Sequence, residues 1–171
     1  MSDTDARQVW LFGPAEGVVD GIEVGLLDPR DHDDRQLLLL ADHPDLAPAI
    51  ERGDDEIVVR GVTMSPTLHL AMHDVVAQRV LDDSPKEWWE TAQRLTSLGY
   101  ERHEALHMLC NVVSAEVYAD LQGVPLDDQD VIRRLAALPG SWESQRPDPA
   151  VPVNRGERSA LQQRQRHRRT R

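Results

Sequence analysis

The chain has 171 residues, of which 40% are hydrophobic and only 4% aromatic, with a formal net charge of −11 at pH 7. This length suits one domain with tails at both ends. Residues 155–171 hold seven arginines and one glutamate, so residues 1–154 carry a charge of −17. An acidic body repels phosphate, which excludes a nucleic-acid-binding core and leaves only weak contact through the basic tail. No apolar run approaches the ~20 residues that span a bilayer, so we expect no membrane partner.

The cysteine count and the N-terminus indicate the compartment. Cys110 is the only cysteine, which excludes an internal disulfide and fits a reducing environment. Residues 1–5 lack the basic and apolar regions of a signal peptide. The near absence of lysine beside abundant arginine is typical of a GC-rich bacterial genome. These features predict a cytoplasmic bacterial protein.

The first sixty residues give weak structural signals. Residues 1–29 mix glycine and proline among aliphatic residues, which predicts an irregular arm with a short extended piece near residues 18–24. A helix capped by Asp31 or His32 should run to about Asp42, and a second from Pro44 to Gly53. Residues 56–60 form a β-branched run that fits one strand or an extended connector. One isolated strand makes no sheet, so the fold class stays all-α.

The following segments carry clearer helix boundaries. Ser65-Pro66 predicts a helix to about Asp82, and Ser84-Pro85-Lys86-Glu87 predicts another start with capping-box spacing. A long helix should run over residues 101–122, and a short one from Asp127 or Asp128 to Leu138. Short joins predict that sequence neighbours pack antiparallel in a bundle of about four to six helices.

Three parts follow from this pattern. Residues 1–29 form the arm, residues 30–140 the helical domain, and residues 141–171 an arginine-rich tail. From Ser141 onward prolines, glutamines and arginines replace apolar residues, which predicts a disordered tail.

Two pairs of histidines carry the chemistry of the chain. His69 and His73 lie four residues apart in one predicted helix, and His103 and His107 in another. Residues at this spacing share one helix face, so each pair can offer two imidazoles to one point. If the two helices pack together, the four rings can bind one divalent metal ion. Alternatively, each histidine forms a hydrogen bond with a carbonyl or carboxylate at the edge of the core.

The second pair also spells H-E-x-x-H, in which two histidines bind zinc and the glutamate acts as base. Glu104 would then orient a ligating histidine or, at an open site, serve as general base for a metal-bound water. Three histidines plus water leave a catalytic position open, whereas four close a structural tetrahedron. Zinc is the first candidate. Iron or manganese comes next, because Asp74 and Glu104 could supply a carboxylate.

A different class of function stays open beside the metal site. The chain could be a non-enzymatic interaction module with structural histidines, whose acidic body and basic tail engage a protein partner or a second copy of the chain. The sequence decides neither between the two classes nor whether the protein is an enzyme.

The ordered histidine pairs resemble a known family. The run PTLHLAMH (66–73), followed by HEALHML (103–109) and VPLDD (124–128), is similar to a family of small bacterial proteins known as domain of unknown function 1841. The likeness covers roughly residues 60–138 and implies a compact α-helical fold without an established activity. In the family pattern a glutamate directly precedes the last histidine and another follows one turn later. This chain has Leu106 and Asn111 there, so a carboxylate role would fall to Glu104.

Overall fold

Eight α-helices and two β-hairpins make up the part of the chain that the computed structural model describes, residues 2–13, 16–59 and 62–145. The helices are α1 (Asp3–Phe12), α2 (His32–Asp42), α3 (Ala47–Arg52), α4 (Pro66–Asp82), α5 (Glu87–Ser97), α6 (Arg102–Leu121), α7 (Asp128–Ala136) and α8 (Gly140–Gln145). The strands are β1 (Val18–Val19), β2 (Ile22–Glu23), β3 (Ile57–Val59) and β4 (Val62–Met64). The all-α class predicted from the sequence is confirmed. Within these residues, none of the helices combines the length and apolar character needed to cross a membrane.

The boundaries of α4, the helix with the first histidine pair, follow from its capping residues. The Ser65 hydroxyl accepts a hydrogen bond from the Leu68 N–H, and Pro66 occupies the first turn, where its missing N–H costs nothing. The helix ends at Asp83, which adopts a left-handed conformation with φ 53°. The predicted span of this helix is confirmed, as is that of α6.

Two predicted helix starts are wrong by a few residues. The helix expected to begin at Pro44 begins at Ala47, because residues 44–46 form a turn in which the Leu46 N–H bonds to the carbonyl of His43. The capping box expected between Ser84 and Glu87 does not form. Ser84 instead donates its N–H to the carbonyl of Arg79 at the end of α4, and α5 starts without a side-chain cap.

The N-terminus is more regular than the predicted arm. Ser2 and Asp5 form a capping box that starts α1, and Leu11 on this helix is buried in the main core. The sequence holds this signal, but the surrounding glycines and prolines outweighed it in the prediction. The extended piece expected near residues 18–24 is confirmed as the β1–β2 hairpin, whose turn uses Asp20 and Gly21, both with positive φ.

The other two differences lie at residues 56–60 and beyond Ser141. The predicted strand exists as β3, and it pairs with β4 in an antiparallel hairpin rather than standing alone. Residues 141–145, predicted to be disordered, belong to α8, and Trp142 packs against the main core. Its large apolar ring, which the prediction of disorder did not take into account, gives α8 a contact with the core. The predicted disorder of residues 146–171 lies outside the described residues.

The main core lies between α4, α5, α6 and α7 and is closed by α1. Its largest fully buried side chains include Trp88, Leu95, Met108 and Leu109, and burying each contributes roughly 1.5–3 kcal/mol. A smaller cluster of Leu39, Leu46 and Leu70 joins α2 to the start of α4. Together the two clusters hold α2, α4 and α6 against one another.

Helices α4 and α6 run in the same direction. His73 faces His107, with ring centroids 5.2 Å apart, and further along both helices Arg79 donates a fork of hydrogen bonds to Glu116 at 2.9–3.0 Å. Helix α5 supplies the return between them. The predicted histidine pairs, both in the first half of their helices, therefore lie at the same end of the bundle.

Candidate metal centre

The first predicted histidine pair lies on the face of α4 that packs against α6 and α2. His73 is 1% exposed, whereas His69, one turn nearer the start of the helix, is half-buried. Their ring centroids are 4.7 Å apart, as expected for positions four residues apart on one helix face.

The second pair lies in the first turns of α6. The ring centroids of His103 and His107 are 4.4 Å apart, and those of His107 and His69 on the neighbouring helix 5.2 Å. The structure therefore brings all four predicted histidines into one cluster.

A fifth histidine, His43, joins them from the end of α2. It is 7% exposed and caps the helix, which ends there because Pro44 follows. Its ring centroid lies 4.5 Å from that of His73 and 5.0 Å from that of His103. Its Nδ1 lies 2.8 Å from the carbonyl oxygen of Leu39. Because a carbonyl only accepts hydrogen bonds, Nδ1 carries the proton and the lone pair of the neutral ring is on Nε2.

The potential ligand atoms of the cluster fall into two groups, each with all its atoms within 4.8 Å of one another. We call the first group, His43, His69, His73 and His107, the inner tetrad, and the second, Asp42, His43 and His103, the outer triad. His43 belongs to both. A tetrahedral zinc ion with Zn–N bonds of ~2.0 Å separates its nitrogens by ~3.3 Å. The upper bound of 4.8 Å in the tetrad is wider than this spacing, so the four rings would have to move closer together to bind an ion.

Four ring nitrogens of the inner tetrad are buried and, among the described residues, have no hydrogen-bond partner. These atoms are Nε2 of His43, Nδ1 and Nε2 of His73, and Nε2 of His107. Buried polar atoms in folded proteins are nearly always paired, so the nitrogens of these three neighbouring rings are candidates to bind a ligand. The alternative that each histidine bonds a carbonyl or carboxylate fits only Nδ1 of His43 among these rings.

Burial also keeps the tetrad rings neutral. It lowers the pKa of His69 and of His107 from 6.5 to about 4, and neighbouring histidines add to the effect. The pKa of His73 falls to about 2 for the same two reasons. Burial likewise lowers the pKa of His43, although the Leu39 carbonyl opposes the shift. Neutral imidazole is the form that binds metals, so the tetrad is competent as a ligand set at pH 7.

Asp42 connects the outer triad to Arg102. Its two carboxylate oxygens accept hydrogen bonds from the Arg102 guanidinium, which also donates to the Leu11 carbonyl at 2.6 Å. The Nδ1 of His103 lies 3.6 Å from Oδ2 of Asp42. Burial raises the pKa of Asp42, but the nearby His103 ring and the hydrogen bonds from Arg102 outweigh this effect and hold the pKa well below its usual range. The carboxylate is therefore ionised at neutral pH.

The remaining predicted or suspected ligands lie outside both groups. Asp74 accepts a hydrogen bond from Nε of Arg35 at 2.5 Å, on the side of α4 that faces the start of α2. Cys110 is buried, and burial raises the pKa of its thiol to about 12, which disfavours the metal-binding thiolate. Glu104 is in neither group, and its role as general base stays a prediction.

Sequence reasoning missed His43. The prediction depended on pairs of histidines at helical spacing, whereas His43 is a single histidine at the end of a helix. The signal that could have pointed to it is its position directly before Pro44, because helices usually end at or before the residue that precedes a proline. Identifying it also required knowing that α2 crosses the start of α4, which is a tertiary contact.

Comparisons with known proteins add no relative. No protein-family model matches the chain, and the searches of curated proteins and of solved structures found no match. The family resemblance of residues 60–138 therefore stays a prediction.

Proposed function

We propose that this chain is a metalloprotein that binds one divalent ion, zinc in the first instance, through the inner tetrad. Three of these ligands, His69, His73 and His107, come from the histidine pairs in the sequence. His43 is the fourth, and His103 lies beside the tetrad rather than in it.

The observation that carries the proposal is the set of four unpartnered ring nitrogens. Each buried polar atom left without a partner costs roughly 1–3 kcal/mol. Four such atoms would consume much of the ~5–15 kcal/mol net stability of a typical domain. One ion bound at the centre would satisfy one nitrogen of each ring, and therefore three of these four atoms, leaving only the second nitrogen of His73 unpaired.

The ligand type favours particular metals. Four imidazoles suit zinc and its neighbours in the first transition series, whereas manganese prefers carboxylates. Iron would need an oxygen ligand from Asp42, whose oxygens are bonded to Arg102. Four protein ligands fill a tetrahedron and leave no position for water, so the geometry supports a structural role over hydrolysis by the H-E-x-x-H motif.

The test is elemental analysis of untagged protein purified without chelator. We expect close to one equivalent of zinc in the wild type and in His32→Ala, and none in His73→Ala. His32 is the matched control, because it is an exposed histidine beside a carboxylate, 3.7 Å from Asp74, and belongs to neither group. Failure to bind stoichiometric zinc, cobalt or iron, even after reconstitution, would refute the proposal.

The alternative function, an interaction module, predicts a different response to chelator. A module with structural histidines melts at the same temperature with and without chelator. A metalloprotein loses stability in chelator, because an ion that binds only the native state stabilises it by mass action. Differential scanning calorimetry with and without EDTA distinguishes the metalloprotein from the interaction module.

We further propose, from the single cysteine and the arginine-rich composition, that the protein works in the bacterial cytoplasm. The resemblance to domain of unknown function 1841 is consistent with this setting. A basic tail that contacts acidic partners, and self-association, remain proposals that light scattering at several salt concentrations can test.

A further inference from the structure

Exposure differs between the two groups of ligand atoms. In the inner tetrad His73 is 1% exposed and His43, which both groups share, 7%, whereas His69 and His107 are half-buried. In the outer triad the side chain of His103 is 43% exposed and that of Asp42 17%. The triad therefore offers a ligand open to solvent, His103, close to two ligands, His43 and His73, that solvent hardly reaches.

The two groups share a residue that can bind only one ion at a time. His43 donates Nδ1–H to the Leu39 carbonyl, so Nε2 has its only available lone pair. This nitrogen is buried and unpartnered. One lone pair cannot bind two cations, so the triad and the tetrad are two alternative positions for a single ion, not the two halves of a dinuclear centre.

We propose that the outer triad is a transient metal position through which the ion enters and leaves the inner tetrad. This inference rests on the proposed function. The ion first binds Asp42, His43 and His103, then keeps Nε2 of His43 while the other two ligands are exchanged for the imidazoles of His69, His73 and His107. The step is a ligand exchange with no change in oxidation state, and the water on the arriving ion is lost to solvent.

The surroundings of the triad keep its occupancy brief. Arg102 bonds both carboxylate oxygens of Asp42, and its positive charge opposes a cation there. The triad also has three ligands, against four in the tetrad. A weak position beside a strong one lowers the barrier to exchange in both directions and leaves the equilibrium affinity of the tetrad unchanged.

The rate of zinc release from the loaded protein tests this inference. Zinc-loaded wild type, His103→Ala and the control His32→Ala are mixed with excess 4-(2-pyridylazo)resorcinol, and the coloured zinc complex is followed in time. Starting from the loaded protein ensures that only folded chains are compared. Uptake of zinc by each unloaded protein is then measured in the reverse experiment.

For His103→Ala we expect release and uptake both to slow by about tenfold, which corresponds to an exchange barrier higher by about 1.4 kcal/mol. Bound zinc should stay at one equivalent with an unchanged Kd, and His32→Ala should match the wild type. Asp42→Asn, which keeps the shape of the side chain, should slow both rates as well, so the inference does not depend on one variant.

Three results would overturn the inference while leaving the metal site intact. Release from His103→Ala and Asp42→Asn at the wild-type rate would remove the role of the triad. Weaker equilibrium binding by His103→Ala would make His103 a resident ligand instead. Two zinc equivalents in the wild type would contradict the single shared lone pair. A wild type that binds no zinc refutes the proposed function itself, before any variant is compared.

Discussion

Replacing His73 with leucine should change the stability of the protein in opposite directions with and without metal. Both ring nitrogens of His73 are buried without a partner, and the side chain is 1% exposed. In the unloaded protein, removing two such atoms should recover ~2–6 kcal/mol. Fitting the different shape of leucine into the site should return ~1–3 kcal/mol of that. We therefore expect His73→Leu to be more stable than the wild type in EDTA, by about 1–3 kcal/mol.

With zinc present the order should reverse. An ion at a hundredfold excess over its Kd stabilises the wild type by ~2.7 kcal/mol, and more at higher excess. The variant has lost a ligand and gains far less. Zinc should therefore first cancel the stability advantage of the variant and then, at higher concentration, make the wild type the more stable of the two.

Urea unfolding followed by circular dichroism measures both differences, with EDTA and with zinc at several concentrations. His32→Leu is the control, since the side chain of His32 is 66% exposed and its replacement should shift neither midpoint. If His73→Leu is less stable than the wild type in EDTA, and by the same amount in zinc, the histidine has ordinary polar partners and the reasoning from orphaned nitrogens is refuted.

Three further outcomes are expected. The unloaded wild type should lose stability as pH falls below 6.5, because the unfolded chain binds protons that the buried rings do not bind. His73, with a pKa of about 2, should alone lower the free energy of unfolding by about 2 kcal/mol near pH 5. Urea midpoints that do not move with pH would contradict this expectation. Glu116→Gln, which leaves Arg79 with a neutral partner, should lower the free energy of unfolding by ~1–3 kcal/mol yet retain zinc in elemental analysis; parallel loss of metal would show that the site depends on this ion pair. Glu104→Gln should also keep one equivalent of zinc. If the H-E-x-x-H motif catalyses hydrolysis, this substitution should abolish the cleavage of a peptide substrate library.

Local patterns in the sequence were sufficient for most of the helices. The caps at Ser65 and Asp127 and the helix ends at Gly53 and Gly123 act within a few residues, so spacing alone predicts them. The two histidine pairs are equally local, because four-residue spacing fixes a shared helix face. Whether α4 and α6 place the two pairs at the same end of the bundle depends on the number and lengths of the helices between them. The short joins left few alternatives.

The parts that the sequence could not predict depend on contacts distant in the chain. His43 reaches the cluster because Leu39 and Leu46 pack with Leu70, an arrangement that no spacing rule contains. Ser84 looked like a helix cap, but its N–H is used by the preceding helix. The sequence also could not show that His103 lies outside the inner tetrad. The Arg102–Asp42 contact that places His103 at the rim of the cluster joins residues sixty positions apart.

The position of His43 at the end of α2 has a consequence for how the chain holds together. An ion bound by the tetrad would join three segments separated by about 26 and about 34 residues, and such a cross-link restricts the unfolded chain by closing two loops. Besides the metal site, helix α2 is held to the bundle by the Leu39 contact and by the Arg35–Asp74 and Arg102–Asp42 ion pairs, all of which lie outside the main core. Losing the ion would loosen that segment before the rest, so amide protons in α2 should exchange with solvent sooner than those of α6. Helix α2 would then respond to metal supply before the helices of the main core do.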